Sequence, residues 1–288
     1  MKFTKMHGIG NDYIYVNCFE ENLENPEQLA PILSDRHTGI GADGLILICP
    51  SEVADVRMRM FNADGSEAEM CGNGLRCVAK YTFDHNLAEP GGPFAVPDQP
   101  PCPASFNIET GNGVLTVGLI IGEDEKVQQV CVNMGRPILE TAEIPVDFPG
   151  PEAVDQPIEI LGQRYNMTAV SMGNPHAVFF CSSLEETPIS ELGPAVENHP
   201  LSPDRTNVNF VQSLGPEEFK MVTWERGSGL TLACGTGGCA SAVAAVLTGH
   251  CQRNSIGHLP GGDLRFNWSQ EDNCVYMTGP AAEVFHGE

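Results

Sequence analysis

Two short stretches of this 288-residue chain set a thiol directly ahead of closely spaced glycines: Cys71-Gly72-Asn73-Gly74 and Cys234-Gly235-Thr236-Gly237. Each precedes a segment that reads as a helix, Gly72 to about His85 and Gly235 to about Thr248. A helix N-terminus offers unpaired N–H groups and a partial positive charge, so it favours a thiolate at its cap and binds a carboxylate nearby. Two such ends flanking one bound molecule suit inversion at a carbon next to a carboxylate. One cysteine, as thiolate, removes the α-proton. The amides of Gly72, Asn73, Gly235 and Thr236 hold the developing negative charge, and the other cysteine, as thiol, returns a proton on the far face. Core packing of each cysteine and a structural disulfide between them are the competing readings.

Three further side chains fit that chemistry. His176, beside Asn174, could take a proton from a cysteine or be a buried, hydrogen-bonded structural histidine. Glu225 could serve the other cysteine or hold a substrate ammonium. Arg226 has the planar fork that binds a second carboxylate through two hydrogen bonds, against the alternative of an exposed arginine in an ordinary loop.

The elements that must position these groups come as a repeat. Gly10-Asn11-Asp12 matches Gly173-Asn174-Pro175, Gly44 falls opposite Asn207, and Cys71 falls opposite Cys234, all at one offset of 163 residues. In that register Asn62 and Glu225 occupy equivalent places. Past the helices Gly135 resembles Gly279 at an offset of 144, and the shortfall points to the proline-rich stretch from Glu89 to Ala104, read as an irregular surface loop. Alternating or β-branched runs at 12–18, 45–49, 56–61, 113–121, 127–132, 177–181, 208–212 and 219–224 predict strands. A lesser helix is expected from Pro26 to Asp35, capped by Asn25. The second cysteine helix is Ala, Val and Leu on nearly every side, which marks a helix wrapped by protein. The pattern predicts an α+β chain of two pseudo-symmetric domains, each a β-sheet rolled into a barrel around a central α-helix.

Composition narrows the partners. Fifteen Lys and Arg stand against 38 Asp and Glu, a net charge of −23, and such a field repels nucleic-acid phosphates and anionic lipid. No apolar run approaches the roughly 20 residues that span a bilayer. The first residues lack a secretory pattern, so a cytoplasmic protein with reduced thiols is expected. Eleven cysteines with no Cys-x-x-Cys pair argue against a thioredoxin-like or zinc-knuckle site, and most of them, Cys18 and Cys49 included, read as small core residues.

Taken together, His7-Gly8-Ile9-Gly10-Asn11-Asp12, Gly39-Ile40-Gly41-Ala42-Asp43-Gly44, Phe61-Asn62-Ala63-Asp64-Gly65-Ser66-Glu67, Cys71-Gly72-Asn73-Gly74, Gly173-Asn174-Pro175-His176, Glu225-Arg226-Gly227 and Ala233-Cys234-Gly235-Thr236-Gly237 resemble the diaminopimelate epimerase family. The likeness runs from Met1 to Met277-Thr278-Gly279-Pro280. It implies interconversion of LL- and meso-2,6-diaminopimelate on the route to lysine and peptidoglycan, with no pyridoxal phosphate, no other cofactor and no metal. By that resemblance Cys71 and Cys234 are the catalytic pair, with His176 and Glu225 as proton partners. Asn11, Asn62, Asn174, Asn207, Glu225 and Arg226 bind substrate, mainly its distal end. The resemblance also implies a homodimer and a final strand returning to the first domain, with domains at 1–126 plus 276–288 and at 127–275. Some members carry glutamine where this chain has Gly44. Proline or hydroxyproline racemase-like enzymes are one alternative, against which the Glu225-Arg226 pair and the asparagines speak. Phenazine-biosynthesis-like isomerases are similar in architecture but lack the cysteine pair, and a thiol redox protein or non-catalytic binding module would not require polar recognition residues around both cysteines.

Overall fold

The computed structural model describes residues 1–288, which divide into two compact units, Met1–Asn133 with Thr278–Glu288, and Met134–Met277. The first holds β1 (Phe3–Gly8), β2 (Asn11–Asn17), α1 (Pro26–Ser34), β3 (Gly44–Cys49), β4 (Val56–Asn62), β5 (Glu67–Ala68), α2 (Gly72–Asp84), β6 (Ala104–Thr110), β7 (Gly113–Ile121) and β8 (Val127–Asn133). The second holds β9 (Gln156–Ile160), β10 (Gln163–Ser171), β11 (Pro175–Phe180), α3 (Ile189–Glu197), β12 (Asn207–Gly215), β13 (Glu218–Glu225), β14 (Gly229–Thr231), α4 (Gly235–Leu247), β15 (Asn254–Leu259) and β16 (Gly262–Trp268). The junction lies within β17 (Val275–Pro280), and β18 (Ala282–Gly287) pairs antiparallel with β1 in the first unit.

The repeat holds at the level of elements. In the first unit β2 pairs parallel with β3, β3 antiparallel with β4, β4 parallel with β6, and β6 antiparallel with β7. In the second, β11, β12, β13, β15 and β16 repeat the same sequence of pairings. Helix α1 starts at Pro26 and α3 at Ile189, the same offset of 163 that relates the cysteines. After the helices the offset drops to 150 for Ala104 against Asn254 and 148 for Val127 against Val275, so the equivalence at the last strands differs from the 144 read off the glycines.

The central strands β2, β3, β11 and β12 are buried on both faces, which explains runs such as Leu45-Ile46-Leu47-Ile48 that lack a polar alternation. One face of the first sheet packs Ile14, Val16, Leu45, Leu47 and Phe61 with Ala30 of α1. The other faces α2, where a Cβ on Gly74 would stand 2.7 Å from Ile46 Cδ1. In the second unit Val208 and Phe210 pack with Leu192 and Val196 of α3, and the alternate positions face α4. Helix α4 is buried from Gly237 through Ala245, and its small residues let the sheet close in: a Cβ on Gly238 would meet Phe266 Cζ at 2.4 Å. Each large apolar side chain buried this way contributes about 1.5–3 kcal/mol. No helix is long and apolar enough to cross a membrane.

The stretch from Glu89 to Ala104 is more ordered than a proline-rich composition predicts. Phe94 and Cys102 form a bridge, with Phe94 N donating to Cys102 O at 3.0 Å and Cys102 N to Phe94 O at 2.9 Å, and Gly91 bridges Ser105. Val96 and Cys102 are buried beneath it, so apolar contacts fold the segment back onto β7.

Candidate active site

In each unit the cysteine is the N-cap of the enclosed helix, held in an extended conformation before the helical turn begins (Cys71 φ −138°, Cys234 φ −117°). All eleven cysteines are thiols rather than disulfides. The two caps differ in hydrogen bonding. Cys71 Sγ donates to Asn11 Oδ1 at 3.5 Å, and Asn73 Nδ2 donates to the same oxygen at 3.3 Å. Cys234 Sγ instead accepts from Gly237 N at 3.4 Å and lies 3.6 Å from Thr236 Oγ1. A donated amide hydrogen favours sulfur as thiolate, whereas the Asn11 carbonyl favours Cys71 as thiol.

Behind Asn11 stands an ionic cluster. Asn11 Nδ2 donates to Asp43 Oδ2 at 2.7 Å, which fixes the amide so that its carbonyl faces Cys71. Arg36 bonds both Asp12, at 2.6 Å, and Asp43, at 2.9 Å, while Lys5 pairs with Asp12 at 2.5 Å and also reaches the Gly41 carbonyl. Burial works to raise the Asp12 pKa, but the Arg36 and Lys5 bonds outweigh it and the carboxyl lies below its usual range. Fully buried Arg76 donates to Gly72 O at 3.4 Å and Pro280 O at 3.2 Å, joining the first turn of α2 to the end of β17. Gly44 has no room for a side chain: a Cβ there would stand 2.2 Å from Phe61 O and 2.8 Å from Tyr13 Cε1. Asn62 closes the following turn, with Nδ2 donating to Ser66 Oγ at 3.0 Å.

In the second unit a chain of hydrogen bonds runs from the sheet to Cys234. Thr223 Oγ1 donates to Asn209 Oδ1 at 2.9 Å, and Asn209 Nδ2 donates to His176 Nδ1 at 3.1 Å. His176 Nε2 then donates to Asn174 Oδ1 at 3.1 Å, and Asn174 Nδ2 to Thr236 Oγ1 at 3.3 Å. These donors fix the neutral imidazole with its proton on Nε2. Burial, with Arg226 nearby, lowers the His176 pKa to about 3. Gly237 is required here because a Cβ would lie 2.6 Å from Asn209 Oδ1 and 3.1 Å from Cys234 Sγ.

A protonation-linked prediction follows from that histidine. The unfolded chain takes up a proton near pH 6.5 and the folded chain only near pH 3, so stability is complete above 6.5 and falls as pH drops toward 3. The loss is at most about 1.4 kcal/mol per pH unit from this one group. Urea unfolding of the parent between pH 7 and 5 shows a steeper decline than His176→Gln, and equal slopes would disprove the assignment.

The remaining expected residues surround the turn after β13. Thr231 Oγ1 donates to Glu225 Oε1 at 2.5 Å. Arg226 is exposed and donates through Nη1 to Asp204 O at 3.0 Å, while its backbone N donates to Asn207 Oδ1 at 3.0 Å. Buried Asn207 also donates to Pro175 O at 2.9 Å, so its amide ties the turn to the Gly173–His176 loop. Glu197, at the end of α3, accepts from Gly227 N at 2.9 Å, Trp224 Nε1 at 2.8 Å and Arg205 Nη1 at 3.3 Å. Asp43, Glu197, Asn209, Thr223 and Gly237 were not among the residues picked out by sequence. Asp43 lies within the Gly39–Gly44 motif and Gly237 within the Cys234–Gly237 motif; Asn209 and Thr223 lie within predicted strands, where polar side chains facing an apolar helix are the available signal. No group of three or more His, Cys, Asp or Glu side chains is arranged to hold a metal ion.

The fold, a duplicated unit with an enclosed helix in each half, recurs in solved structures of other proteins. A phenazine biosynthesis protein of the PhzF family from Bacillus anthracis superposes over 100% of this chain and 98% of its own with a TM-score of 0.70 at 15% identity. A probable proline racemase from Agrobacterium radiobacter K84 does so over 100% and 92%, with a TM-score of 0.66 at 14% identity. These likenesses establish the fold alone. In sequence, the diaminopimelate epimerase family model matches residues 3–140 and 168–284. The diaminopimelate epimerase of Acetivibrio thermocellus is 50% identical over 288 residues, covering 100% of this chain and 98% of that protein. The chain is a member of the diaminopimelate epimerase family, and an isomerase.

Proposed function

We propose that this enzyme epimerises LL-2,6-diaminopimelate to the meso form, in the formation of lysine and peptidoglycan precursors, by a two-base mechanism in which one of Cys71 and Cys234 removes the α-proton and the other delivers its own proton to the opposite face. The observation that carries this reading is the matched pair of helix caps, each a cysteine followed by amides that bind negative charge. Family membership at about half identity over the full chain supplies the substrate.

An α-proton of an amino acid is a weak acid, so most of the barrier must be removed by stabilising the carbanion as charge builds on the carboxylate. The amides of Gly72 and Asn73 at one helix start, and of Gly235 and Thr236 at the other, supply fixed dipoles for that purpose. In this reading Cys234, whose sulfur accepts from Gly237 N, abstracts as thiolate, and Cys71, whose sulfur donates to Asn11 Oδ1, returns a proton as thiol. The reverse reaction exchanges these roles. Glu225 is the proton partner in this reading. His176, whose Nε2 donates to Asn174 and whose Nδ1 accepts from Asn209, stays neutral and reaches Cys234 only through Asn174 and Thr236, so it positions that chain rather than taking the proton expected of it from sequence. Asn11, Asn62, Asn174, Asn207 and Arg226 read the substrate's polar ends, with Arg226 taking the distal carboxylate. The reading includes action in the cytoplasm as a homodimer.

The test is α-hydrogen exchange in deuterated buffer under reducing conditions. Diaminopimelate gains deuterium at the inverted centre, whereas proline does not; the opposite selectivity, or no exchange, would overturn the assignment. Arg226→Lys raises KM about ten- to a hundredfold with a smaller change in kcat, since an ammonium cannot form the bidentate contact. An unchanged KM would show that Arg226 does not bind the carboxylate.

A further inference from the structure

The first unit carries a second thiol pair that the epimerisation reading does not use. Cys49 ends β3, and Cys18 follows the last residue of β2. Those strands run parallel with Asn17 paired to Ile48, and Cys18 N donates to Ile48 O at 2.8 Å, which carries the ladder one step further and sets Cys18 beside Cys49. Neighbouring strands are about 4.8 Å apart, inside the roughly 4.4–6.8 Å that a disulfide spans between Cα atoms. Cys18 Sγ donates to Val16 O at 3.9 Å, and both residues are only partly buried at the edge of the cluster under α1. Sequence reading took both for core residues; the structure instead places them together within reach of solvent.

Their surroundings distinguish the two sulfurs. The neighbouring Cys18 thiol lowers the pKa of Cys49; burial opposes this, and Arg59 and Arg57 on β4 add to it against Glu109. Arg57 lies directly opposite Cys49 in the β3–β4 register. Cys18 is the partner that keeps its proton, its pKa raised by Cys49 and by burial. A thiol of lowered pKa beside Arg57 and Arg59, themselves paired with Glu109 and Glu67, with a second thiol next to it, is the arrangement of a nucleophilic cysteine and its resolving cysteine.

We propose that Cys49 and Cys18 form a hydroperoxide-reactive dithiol that closes reversibly to a disulfide. The Cys49 thiolate attacks the terminal peroxide oxygen and breaks the O–O bond, and the leaving alkoxide takes a proton to become an alcohol. The Cys49 sulfenic acid is then attacked by Cys18, the S–S bond forms, and water leaves with the sulfenic oxygen. In sum, two thiols and one hydroperoxide give one disulfide, one alcohol and one water; the thiols are oxidised by two electrons and the peroxide is reduced by two. The pair lies about 20 Å along β2 from Asn11, by the rise of an extended strand, so this chemistry is separate from proton transfer at Cys71.

The sequence makes the test direct, because trypsin releases Met6–Arg36 with Cys18 as its one cysteine and His37–Arg57 with Cys49 as its one cysteine. Full-length enzyme is treated with a few equivalents of tert-butyl hydroperoxide, alkylated and digested. These two peptides are recovered joined, two hydrogens lighter than their sum, and a thiol reductant separates them. In Cys18→Ser the Cys49 peptide accumulates a sulfenic acid that a cyclic 1,3-diketone traps, whereas in Cys49→Ser neither peptide is oxidised. Before oxidation, iodoacetamide at pH 7 labels Cys49 at least tenfold faster than Cys18. Both variants keep epimerase activity. The proposal is overturned if both peptides stay separately alkylated while other cysteines oxidise, if Cys49 joins a different cysteine, or if Cys18 is the faster thiol. Because peptide masses rather than turnover are read, these outcomes stand apart from the fate of the epimerase assignment.

Discussion

Alanine in place of Cys71 or Cys234 lowers epimerisation at least a thousandfold and leaves the fold intact. Each thiol is the sole proton carrier proposed for one face of the α-carbon, and loss of a positioned acid or base costs about 10²–10⁴-fold in rate. The two variants are distinguishable. With Cys234 gone, the resting thiolate is lost, and proton abstraction from the substrate form that it serves stops. With Cys71 gone, Cys234 can still remove a proton, so the substrate centre it faces exchanges slowly with solvent without inversion. Deuterium incorporation and stereochemistry, followed together by NMR and chiral chromatography, separate these outcomes, and circular dichroism checks the fold. Turnover within tenfold of the parent in either variant would contradict the two-base assignment. The same bonding asymmetry makes Cys234 the faster of the two toward iodoacetamide near pH 7, because Gly237 N already donates to its sulfur.

Much of this architecture is legible before any coordinates because duplication writes it twice. The Gly-rich turns after Cys71 and Cys234 place helix starts within a residue of those observed, and Val56 and Phe219 mark equivalent strands at the shared offset. Elements with mixed composition are less legible. Helix α3 contains Pro194, and β14 is three residues long, so neither builds a periodic signal. The last strands drift in register because β6–β8 and β15–β17 are separated by loops of different length. At the site, the cysteines announce themselves by their local motif, while Asp43 and Asn209 do not. Their roles come from partners 32 and 33 residues away, Asn11 and His176, which only the folded sheet brings into contact. The neutrality of His176 is likewise a property of burial rather than of its sequence neighbours.

Glu197→Ala is expected to destabilise the enzyme by about 2–4 kcal/mol and to raise KM several-fold through the turn that carries Arg226. Its carboxylate is 6% exposed and accepts from Trp224, Gly227 and Arg205. Truncation leaves the Trp224 and Gly227 N–H groups without this acceptor in a partly buried place, and that loss costs more than the net value of the bonds themselves. Trp224 is also fixed by packing: a Cβ on Gly193 of α3 would stand 2.6 Å from its ring, so the helix and the indole fit without a gap. The equivalent residue in the first unit is Ser34, and there the matching turn is closed locally, with Asp64 Oδ1 accepting from Ser66 N and Ser66 Oγ at 2.9 and 2.6 Å. The two copies have thus diverged in how the turn is held: a self-contained loop beside Asn62, and a turn beside Glu225 braced from α3. Under the proposed function only the second carries a cation for the distal carboxylate, Arg226, and bracing removes freedom that binding would otherwise have to freeze. Glu197→Gln keeps one carbonyl acceptor and lies between parent and Ala in denaturant midpoint. An Ala variant whose midpoint and KM both match the parent would show that the turn holds Arg226 without α3.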